Sequence, residues 1–370
     1  MKTKAAMKKL TGRLRTIWYA ETYTSVFNPV ILILSFLSLL YRQVVKSRNR
    51  LYDLGILKQS KLPCKVISIG NITVGGTGKT PFVIMLAKLL KTKGYKPAVL
   101  SRGYGGKAKS PVNIVSDGVQ IKMKCDEAGD EPFLIAKSVD GIPVLTGPKR
   151  TLSGNTAIES FGADILILDD AFQHRSIFRD MDIVILNREK PFGNGYLLPR
   201  GPLREPPDVL KRAHLLIWRD NVLDGRFPKF YEQGIGTFFP VLSCYLKPEA
   251  IIQNNTGTHL PLEYIRGKNI CAFVGIGSPE NFRETIESMG GLLVDFISFP
   301  DHYPYTPEDI ADIQRRASAS GAELIMTTEK DATRLADLPA FLKNILILKV
   351  EMEIYPSSEE LITSILDMLK

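Results

Sequence analysis

A glycine-rich segment that ends in lysine and threonine carries the clearest chemical pattern in this sequence. GNITVGGTGKTP, residues 70–81, follows the β-branched run KVISIGN and opens a helical pattern. Such a loop turns backbone N–H groups toward phosphate oxygens, while the lysine reaches the terminal phosphates and the threonine hydroxyl binds Mg²⁺. A glycine-rich turn without a ligand is the alternative, but the order strand, loop, helix favours phosphate binding. The loop residues are Thr73, Val74, Gly75, Gly76, Thr77, Gly78, Lys79 and Thr80, with Thr73 standing where the usual pattern has glycine.

Two acidic segments could supply metal ligands and a general base. ADILILDDAFQH, residues 163–174, places Asp169 and Asp170 at the end of an apolar strand pattern. Carboxylates beside a phosphate loop hold Mg²⁺ or its water shell, although an isolated Asp pair at a strand end more often caps a turn. GDEPFLIA, residues 129–136, offers Asp130 as a base and Glu131 as a further metal-associated acid. A simple helix N-terminus would explain these two acids equally well.

Histidines and basic residues add further candidates. His302 lies in the aromatic and proline-rich segment FPDHYPYTPED, where packing among tyrosines is the commoner role for a single histidine. His174 follows the Asp pair closely enough to share its site, whereas we expect His214 and His259 to be structural or solvated. Five basic residues lie near strand ends, where they either form a solvated rim or bind phosphate: Arg102, Lys149, Arg150, Arg200 and Arg204.

The elements that position these residues alternate between strands and helices from Lys65 onward. Continuous apolar strands separated by helices predict a parallel sheet covered on both faces. The segment TFFPVLSCYL predicts a pair of strands or a linker, after which a second α/β unit begins. The predicted fold is therefore α/β, with two α/β/α lobes, the first a phosphate-loop NTPase-like and mostly parallel sheet, and a ligand cleft between them. The predicted domains are 1–50, 51–225, a strand linker at 226–262, and 263–370.

Composition restricts the class of partner. The first 50 residues contain ten Lys and Arg and one acid, Glu21, which accounts for the whole net charge of +9. These cations flank VILILSFLSLL, residues 30–40, which is shorter than the ~20 residues of a membrane span. A signal peptide lacks its small-residue cleavage site here, and a buried helix would not need the flanking charge. We predict a helix lying on an anionic membrane surface, and no nucleic-acid binding. The four cysteines show no paired spacing and indicate a reducing compartment.

The motifs taken together resemble the tetraacyldisaccharide 4′-kinases of lipid A biosynthesis. The resemblance extends over nearly the whole chain, with Ala171 where glycine is more usual after the Asp pair. The motifs that carry it are GN-x-TVGG-x-GKTP, SRGYGG, GDEP, DD-x-FQH, RGPLREP, FPDH and TTEKDA.

This resemblance implies transfer of the γ-phosphate of ATP, with Mg²⁺, to the 4′-hydroxyl of a tetraacyldisaccharide 1-phosphate. It implies a catalytic role for Lys79 and a catalytic Asp–His pair, in which Asp130 is the base and His302 orients it. We also expect a monomer, bound peripherally to the cytoplasmic face of the bacterial inner membrane. The implied metal-associated residues are Thr80, Glu131, Asp169 and Asp170, and the implied substrate-binding residues are Arg150, Gln173, His174, Arg204 and Glu205.

Two other functions use parts of the same pattern. A phosphate-loop nucleotide switch or metallochaperone would need Lys79, Thr80 and Asp169, but neither a base candidate nor a membrane-binding N-terminus. A membrane scaffold without enzymatic activity would need the N-terminus alone. The kinase hypothesis uses all of these features.

Overall fold

The computed structural model describes residues 18, 28–220, 241–254, 256–335 and 345–369. These residues fall into two compact units. Unit 1 takes its residues from within 1–79, 165–244 and 354–370, and unit 2 from within 80–164 and 245–353. The predicted domain boundaries stay predictions, and the parts of the N-terminal segment and linker that lie at 1–17, 19–27, 226–240 and 255 are outside the described residues.

Strands and helices alternate along the described chain. The helices are α1 (Pro29–Asp53), α2 (Lys79–Thr92), α3 (Cys125–Ala128), α4 (Asp130–Ser138), α5 (Arg150–Phe161), α6 (Pro279–Ser288), α7 (Pro307–Ala319), α8 (Glu329–Arg334) and α9 (Ser358–Leu369). The strands are β1 (Lys65–Gly70), β2 (Pro97–Ser101), β3 (Asn113–Ser116), β4 (Val144–Thr146), β5 (Ile165–Asp169), β6 (Met181–Asn187), β7 (Leu215–Arg219), β8 (Val241–Gln253), β9 (Thr258–Leu260), β10 (Asn269–Val274), β11 (Leu292–Ser298), β12 (Leu324–Thr328) and β13 (Ile345–Tyr355). Short 3₁₀ helices occupy Pro207–Arg212 and Leu262–Ile265.

A parallel sheet forms the centre of unit 1. Its strands lie in the order β5, β1, β6, β7 and the start of β8. These strands are buried and almost entirely apolar, as expected when helices cover both faces. Ile69 of β1 pairs in register with Asp169 of β5, so the two strands end at the same edge of the sheet. That edge therefore carries both the glycine-rich loop and the Asp pair.

Unit 2 contains two sets of paired strands. Strands β11, β10, β12 and β13 are parallel in that order, and β4 pairs in parallel with β2 and antiparallel with β3. Helix α8 begins directly where β12 ends and contacts α4 and α3. The predicted α/β fold with mostly parallel strands is confirmed.

Local signals explain where the helices of unit 2 begin and end. The Thr306 hydroxyl accepts a hydrogen bond from the backbone N–H of Asp309, whose carboxylate accepts one from the N–H of Thr306 in return. This reciprocal cap satisfies two N–H groups at the start of α7. Gly290 and Gly321, beyond the ends of α6 and α7, have φ of 83° and 69°, a conformation that glycine adopts without strain.

Helix α1 turns its apolar side chains outward. Its buried residues include two polar ones, Ser38 and Asn49, and the Ser38 hydroxyl donates to the Leu197 carbonyl oxygen at 2.9 Å. This is the reverse of an amphipathic helix on a water-soluble protein. At 25 residues it is the one helix of the described chain long and apolar enough to cross a membrane, which is compatible with membrane association. The apolar residues at least half exposed are Val30, Leu32, Ile33, Phe36, Leu39, Leu40 and Val44.

Two adjacent valines test this orientation of α1. Val45 is 8% exposed and Val44 is 65% exposed. We expect Val45→Ala to lower the free energy of unfolding by about 1–3 kcal/mol, because it leaves a cavity, and Val44→Ala to change it by less than about 0.5 kcal/mol. Denaturant unfolding of both variants in the same detergent measures the difference. Equal losses in the two variants would contradict this orientation of α1.

Candidate active site

The loop between β1 and α2 has a conformation that its glycines make possible. Gly75 and Gly78 have φ of 125° and 80°, which residues with a Cβ rarely adopt. Inside the loop, the Asn71 amide donates to the Thr77 hydroxyl at 3.1 Å. The loop also bonds to another segment of the chain, because the Val74 N–H donates to the Pro202 carbonyl oxygen at 2.8 Å. Helix α2 begins directly after the loop, so the positive end of its dipole faces the same region. The arrangement suits the binding of a phosphate chain.

Asp170 lies between two cations at this edge of the sheet. The Lys79 Nζ atom is 3.5 Å from Asp170 Oδ1, and Arg204 Nη1 donates to both carboxylate oxygens at 2.9 Å. Burial raises the pKa of Asp170, but Lys79 and Arg204 outweigh it and lower that pKa to about 2. The acid is therefore ionised at any physiological pH. Lys79, a predicted catalytic residue, and Arg204, a predicted substrate-binding residue, therefore both contact Asp170, a predicted metal-associated residue.

The donor set here fits a magnesium ion in a nucleotide complex. Asp169 ends β5 and is 2% exposed, while the next carboxylate, that of Asp170, is 34% exposed. Mg²⁺ prefers hard oxygen ligands and often takes one or two carboxylates together with phosphate oxygens. Accordingly, no group of three or more His, Cys, Asp or Glu side chains forms a ready metal cage within the described residues.

The other predicted substrate-binding residues of unit 1 form hydrogen bonds with protein groups near this edge of the sheet. The Gln173 amide donates to the Asn71 carbonyl oxygen at 2.8 Å. Glu205, 1% exposed, accepts hydrogen bonds from Asn49 at 2.8 Å and from Arg212 at 2.7 Å. Glu205 is thus fully engaged by protein groups and holds the segment that carries Arg204. The ring of His174 lies 3.0 Å from the Ser176 hydroxyl.

Helix α1 reaches the same segment. The Tyr41 hydroxyl donates to the Arg204 carbonyl oxygen at 3.0 Å, and the Arg48 guanidinium donates to the Gln173 carbonyl oxygen at 2.7 Å. With the Asn49–Glu205 hydrogen bond, these contacts tie the apolar helix to three predicted site residues. The N-terminal helix is therefore a structural part of the unit 1 site.

In unit 2, Asp130 and His302 form a close pair. His302 Nδ1 lies 3.0 and 2.9 Å from the two oxygens of Asp130. A carboxylate only accepts hydrogen bonds, so Nδ1 carries the proton and Nε2 is the acceptor in the neutral ring. Gly129, just before Asp130, has a φ of 91°, and a Cβ there would lie 2.6 Å from the Tyr104 carbonyl oxygen. The predicted pair is therefore brought together, and its approach depends on a glycine.

Two cations of α8 also contact this pair, and the sequence patterns did not indicate them as site residues. Arg334 Nε donates to Asp130 Oδ2 at 2.9 Å. Lys330 Nζ lies 3.0 Å from Glu131 Oε1, 3.5 Å from Asp301 Oδ1 and 4.0 Å from Asp130 Oδ2. The signal that could have found them is TTEKDATRL, where both cations follow a strand end. Glu131, a predicted metal-associated residue, is an ion-pair partner of Lys330 here.

The charges around Asp130 keep it ionised. Burial raises the pKa of Asp130, but its hydrogen bond with His302 and the charges of Lys330 and Arg334 lower that pKa well below the usual range of an aspartate. Arg334 is itself fixed by Asp331, which is fully buried and accepts from Arg334 Nη1 at 3.0 Å. The carboxylate is therefore a weak base in a rigid position.

Backbone strain coincides with these sites. Within the described residues, the non-glycine residues with positive φ are Asp170, at 49°, and His302, at 58°. Such conformations cost of order 1 kcal/mol or more and persist where the surroundings enforce them, often at functional sites. Both residues are site candidates from the sequence.

Arg150, a predicted substrate-binding residue, is 2% exposed in unit 2 and donates to the Gly147 carbonyl oxygen at 2.6 Å.

Comparison with known proteins identifies the family. The sequence profile described as "Tetraacyldisaccharide-1-P 4'-kinase" matches residues 30–370. The chain belongs to this kinase family. A tetraacyldisaccharide 4′-kinase of Syntrophus aciditrophicus is 48% identical over 97% of this chain and 98% of that protein. One of Anaeromyxobacter dehalogenans is 41% identical over 80% of this chain and 79% of that protein.

A solved kinase of the family has the same fold. The structure of LpxK from Aquifex aeolicus, described as an "apo" form in complex with ATP, superposes with a TM-score of 0.72 at 33% identity. The match covers 92% of this chain and 100% of that one. The predicted family is confirmed, while the roles of individual residues in this family member stay predictions.

Arg334 provides a test of the electrostatics in this family member. Arg334→Met leaves two buried carboxylates, Asp130 and Asp331, without their guanidinium partner. We expect a loss of about 3–5 kcal/mol in the free energy of unfolding at pH 7. In the wild type, the lowered pKa of Asp130 makes a contribution that is nearly complete down to about pH 4 and fades only below it. In the variant, we expect the unpaired buried carboxylates to have raised pKa values and to take up protons by about pH 4, which relieves the cost of burying their charge. The loss should therefore be smaller at pH 4, as measured by denaturant unfolding at both pH values.

Arg315→Met is the matched control for this substitution. The Arg315 side chain is 72% exposed and pairs with Asp312 on the same helix, so we expect little change at either pH. An equal loss for Arg334→Met at pH 7 and pH 4 would contradict the electrostatic explanation.

Proposed function

We propose that this protein transfers the γ-phosphoryl group of ATP to the 4′-hydroxyl of a tetraacyldisaccharide 1-phosphate. The observation that carries the proposal is the contact of Lys79 and Arg204 with Asp170 beside the glycine-rich loop. Membership in the kinase family supports the choice of acceptor, and the ATP complex of the Aquifex relative supports the choice of donor.

The residues of unit 1 suit the donor nucleotide. The loop of residues 73–80 would bind the phosphates through its N–H groups, and Lys79 and Arg204 would balance the charge that spreads over the transferred group. Phosphoryl transfer needs mainly positioning and charge neutralisation, and both are supplied by groups already fixed by the protein. Asp169 and Asp170 are proposed holders of Mg²⁺, which when bound would supply positive charge to the phosphates, and Thr80 and Glu131 of unit 2 stay predicted to have the same role.

The residues of unit 2 suit the acceptor hydroxyl. In the proposal, the Asp130–His302 pair accepts its proton as the bond from the hydroxyl oxygen to the γ-phosphorus forms and the bond from that phosphorus to the β,γ-bridging oxygen breaks, so that ADP leaves. A carboxylate with a lowered pKa is adequate for this step, because the transition state is loose and the hydroxyl needs little activation beforehand. The hydrogen bond from His302 Nδ1 and that from Arg334 hold the carboxylate in one orientation. Arg150, Gln173, His174, Arg204 and Glu205 are proposed to bind or position the disaccharide and its phosphates.

The acyl chains of this substrate place the reaction at a membrane. Helix α1 exposes apolar side chains and carries Arg42, Lys46 and Arg50 in its second half. Apolar burial and attraction to anionic headgroups would together hold it in the interface. We propose a peripheral monomer on the cytoplasmic face of the inner membrane, where ATP is available.

Product analysis tests the proposed reaction. The full chain in detergent micelles is incubated with γ-labelled ATP and a tetraacyldisaccharide 1-phosphate, and the lipids are separated from free phosphate. We expect the label on the lipid. Label found only as free phosphate would instead support the alternative, a nucleotide switch or metallochaperone that hydrolyses ATP.

Variants at the two units test the assigned roles in the same assay. We expect Lys79→Ala to lower kcat by about 10²–10³-fold, because charge on the transferred group loses its partner. Asp130→Asn should lower kcat by at least about 10²-fold with ATP affinity retained. Lys88→Ala, on the exposed face of the same helix as Lys79, is the control and should behave like the wild type. A change confined to KM in Asp130→Asn would assign Asp130 to substrate binding.

Membrane binding is tested on the outward face of α1. The double variant Ile33→Ser, Phe36→Ser replaces side chains that are 61% and 62% exposed. Each loses about 1.5–3 kcal/mol of apolar burial in the bilayer, so we expect co-sedimentation with anionic vesicles to fall at least about tenfold. Val119→Ser, at a site 88% exposed outside the helix, is the control. Unchanged sedimentation of the double variant would place the membrane contact elsewhere.

A further inference from the structure

Arg219 contacts the backbone of the glycine-rich loop. It ends β7 and is 6% exposed. Its Nη1 atom donates to the Gly76 carbonyl oxygen at 3.0 Å. Neither the kinase motifs nor the ion cluster around Asp170 includes this residue, although it belongs to the same unit.

The charge of Arg219 lacks a carboxylate partner in the described part of the chain. The nearest acid along the sequence, Asp220, pairs with Arg188 at 3.2 Å instead. Burial lowers the pKa of Arg219, and the influence of Cys244 and Glu189 opposes that shift. Its Nε atom is buried and has no hydrogen-bond partner among the described residues. Buried charges in proteins are normally paired, so this cation calls for an anion.

The hydrogen bond to Gly76 also orients a loop amide. The carbonyl and the N–H of a trans peptide point in opposite directions, so fixing the Gly76 carbonyl toward Arg219 turns the Thr77 N–H the other way. The Thr77 side chain is held as well, because its hydroxyl accepts from Asn71. Arg219 thereby fixes the direction of one N–H donor in the loop that is proposed to bind phosphate.

We propose that Arg219 is a positioning residue for the nucleotide, which fixes the Gly76–Thr77 peptide and supplies an unbalanced positive charge that a bound polyphosphate compensates. This inference rests on the proposed function, since it takes the loop to be the ATP site. It requires that the contribution of Arg219 grow with the negative charge of the nucleotide, because charge–charge attraction scales with the charge of each partner.

Nucleotide titrations of the full chain in detergent micelles test the proposal. Calorimetry with ATP, ADP and AMP is run on the wild type, Arg219→Met, Arg219→Lys and Lys211→Met. Lys211 is an exposed cation of the same unit, so its variant controls for net charge alone. We expect Arg219→Met to raise the Kd for ATP and ADP by at least about tenfold and the Kd for AMP by less than about twofold. Arg219→Lys retains the charge, and its ATP affinity should stay within about threefold of the wild type.

The outcomes separate this inference from the proposed function. A wild-type chain that binds no ATP would refute the proposed function itself. Wild-type binding together with unchanged ATP affinity in Arg219→Met would refute the role of Arg219 alone. An equal loss in Lys211→Met, or an equal loss for AMP and ATP, would also overturn it, because neither depends on the position of the charge beneath the loop. If Arg219→Met does not fold, the test rests on Arg219→Lys. A folded Arg219→Lys variant that loses ATP affinity would contradict the proposal that the positive charge at this position supports ATP binding.

Discussion

A carboxylate held between two cations is the interaction on which the unit 1 site depends. Asp170 keeps Lys79 and Arg204 close together at the mouth of the glycine-rich loop, where two positive side chains would otherwise repel each other. The arrangement leaves both cations near the place where phosphates are proposed to bind. An incoming polyphosphate would exchange one anionic partner for another, so the cations need not be reorganised at the moment of reaction.

In unit 2 a cation is held among carboxylates, which is the arrangement of unit 1 with the signs of the charges reversed. Three acids, Asp130, Glu131 and Asp301, surround the ammonium group of Lys330. Arg334 completes the balance, and the buried Asp331 fixes it in turn. The result is a base candidate that is ionised, immobile and weak. Such a base suits a reaction in which placement of the hydroxyl matters more than its activation.

The sequence predicted the unit 1 site well because its parts are local. The loop is contiguous, and Asp169 and Asp170 end a parallel strand, whose position follows from the fold class alone. His302 was different: its residues favoured a structural histidine, and only the family resemblance indicated catalysis. Lys330 and Arg334 were missed because their contacts join positions 199 and 204 residues apart, a separation that leaves no periodic trace. The alternation of strands and helices also predicted the α/β class and its mostly parallel strands, whereas the predicted domain boundaries stay predictions.

The hydrogen bonds of α1 have a geometric consequence for the choice of substrate. Tyr41, Arg48 and Asn49 join the helix rigidly to the segments around Gln173, Arg204 and Glu205. If the apolar face of α1 rests at the level of the acyl chains, the loop and its cations stand at a set height above the bilayer. The helix would then select lipids by headgroup length, because only a hydroxyl at that distance from the bilayer can reach the phosphate of a nucleotide bound at the loop. A lipid with a shorter or longer headgroup would be excluded because its hydroxyl could not reach that phosphate.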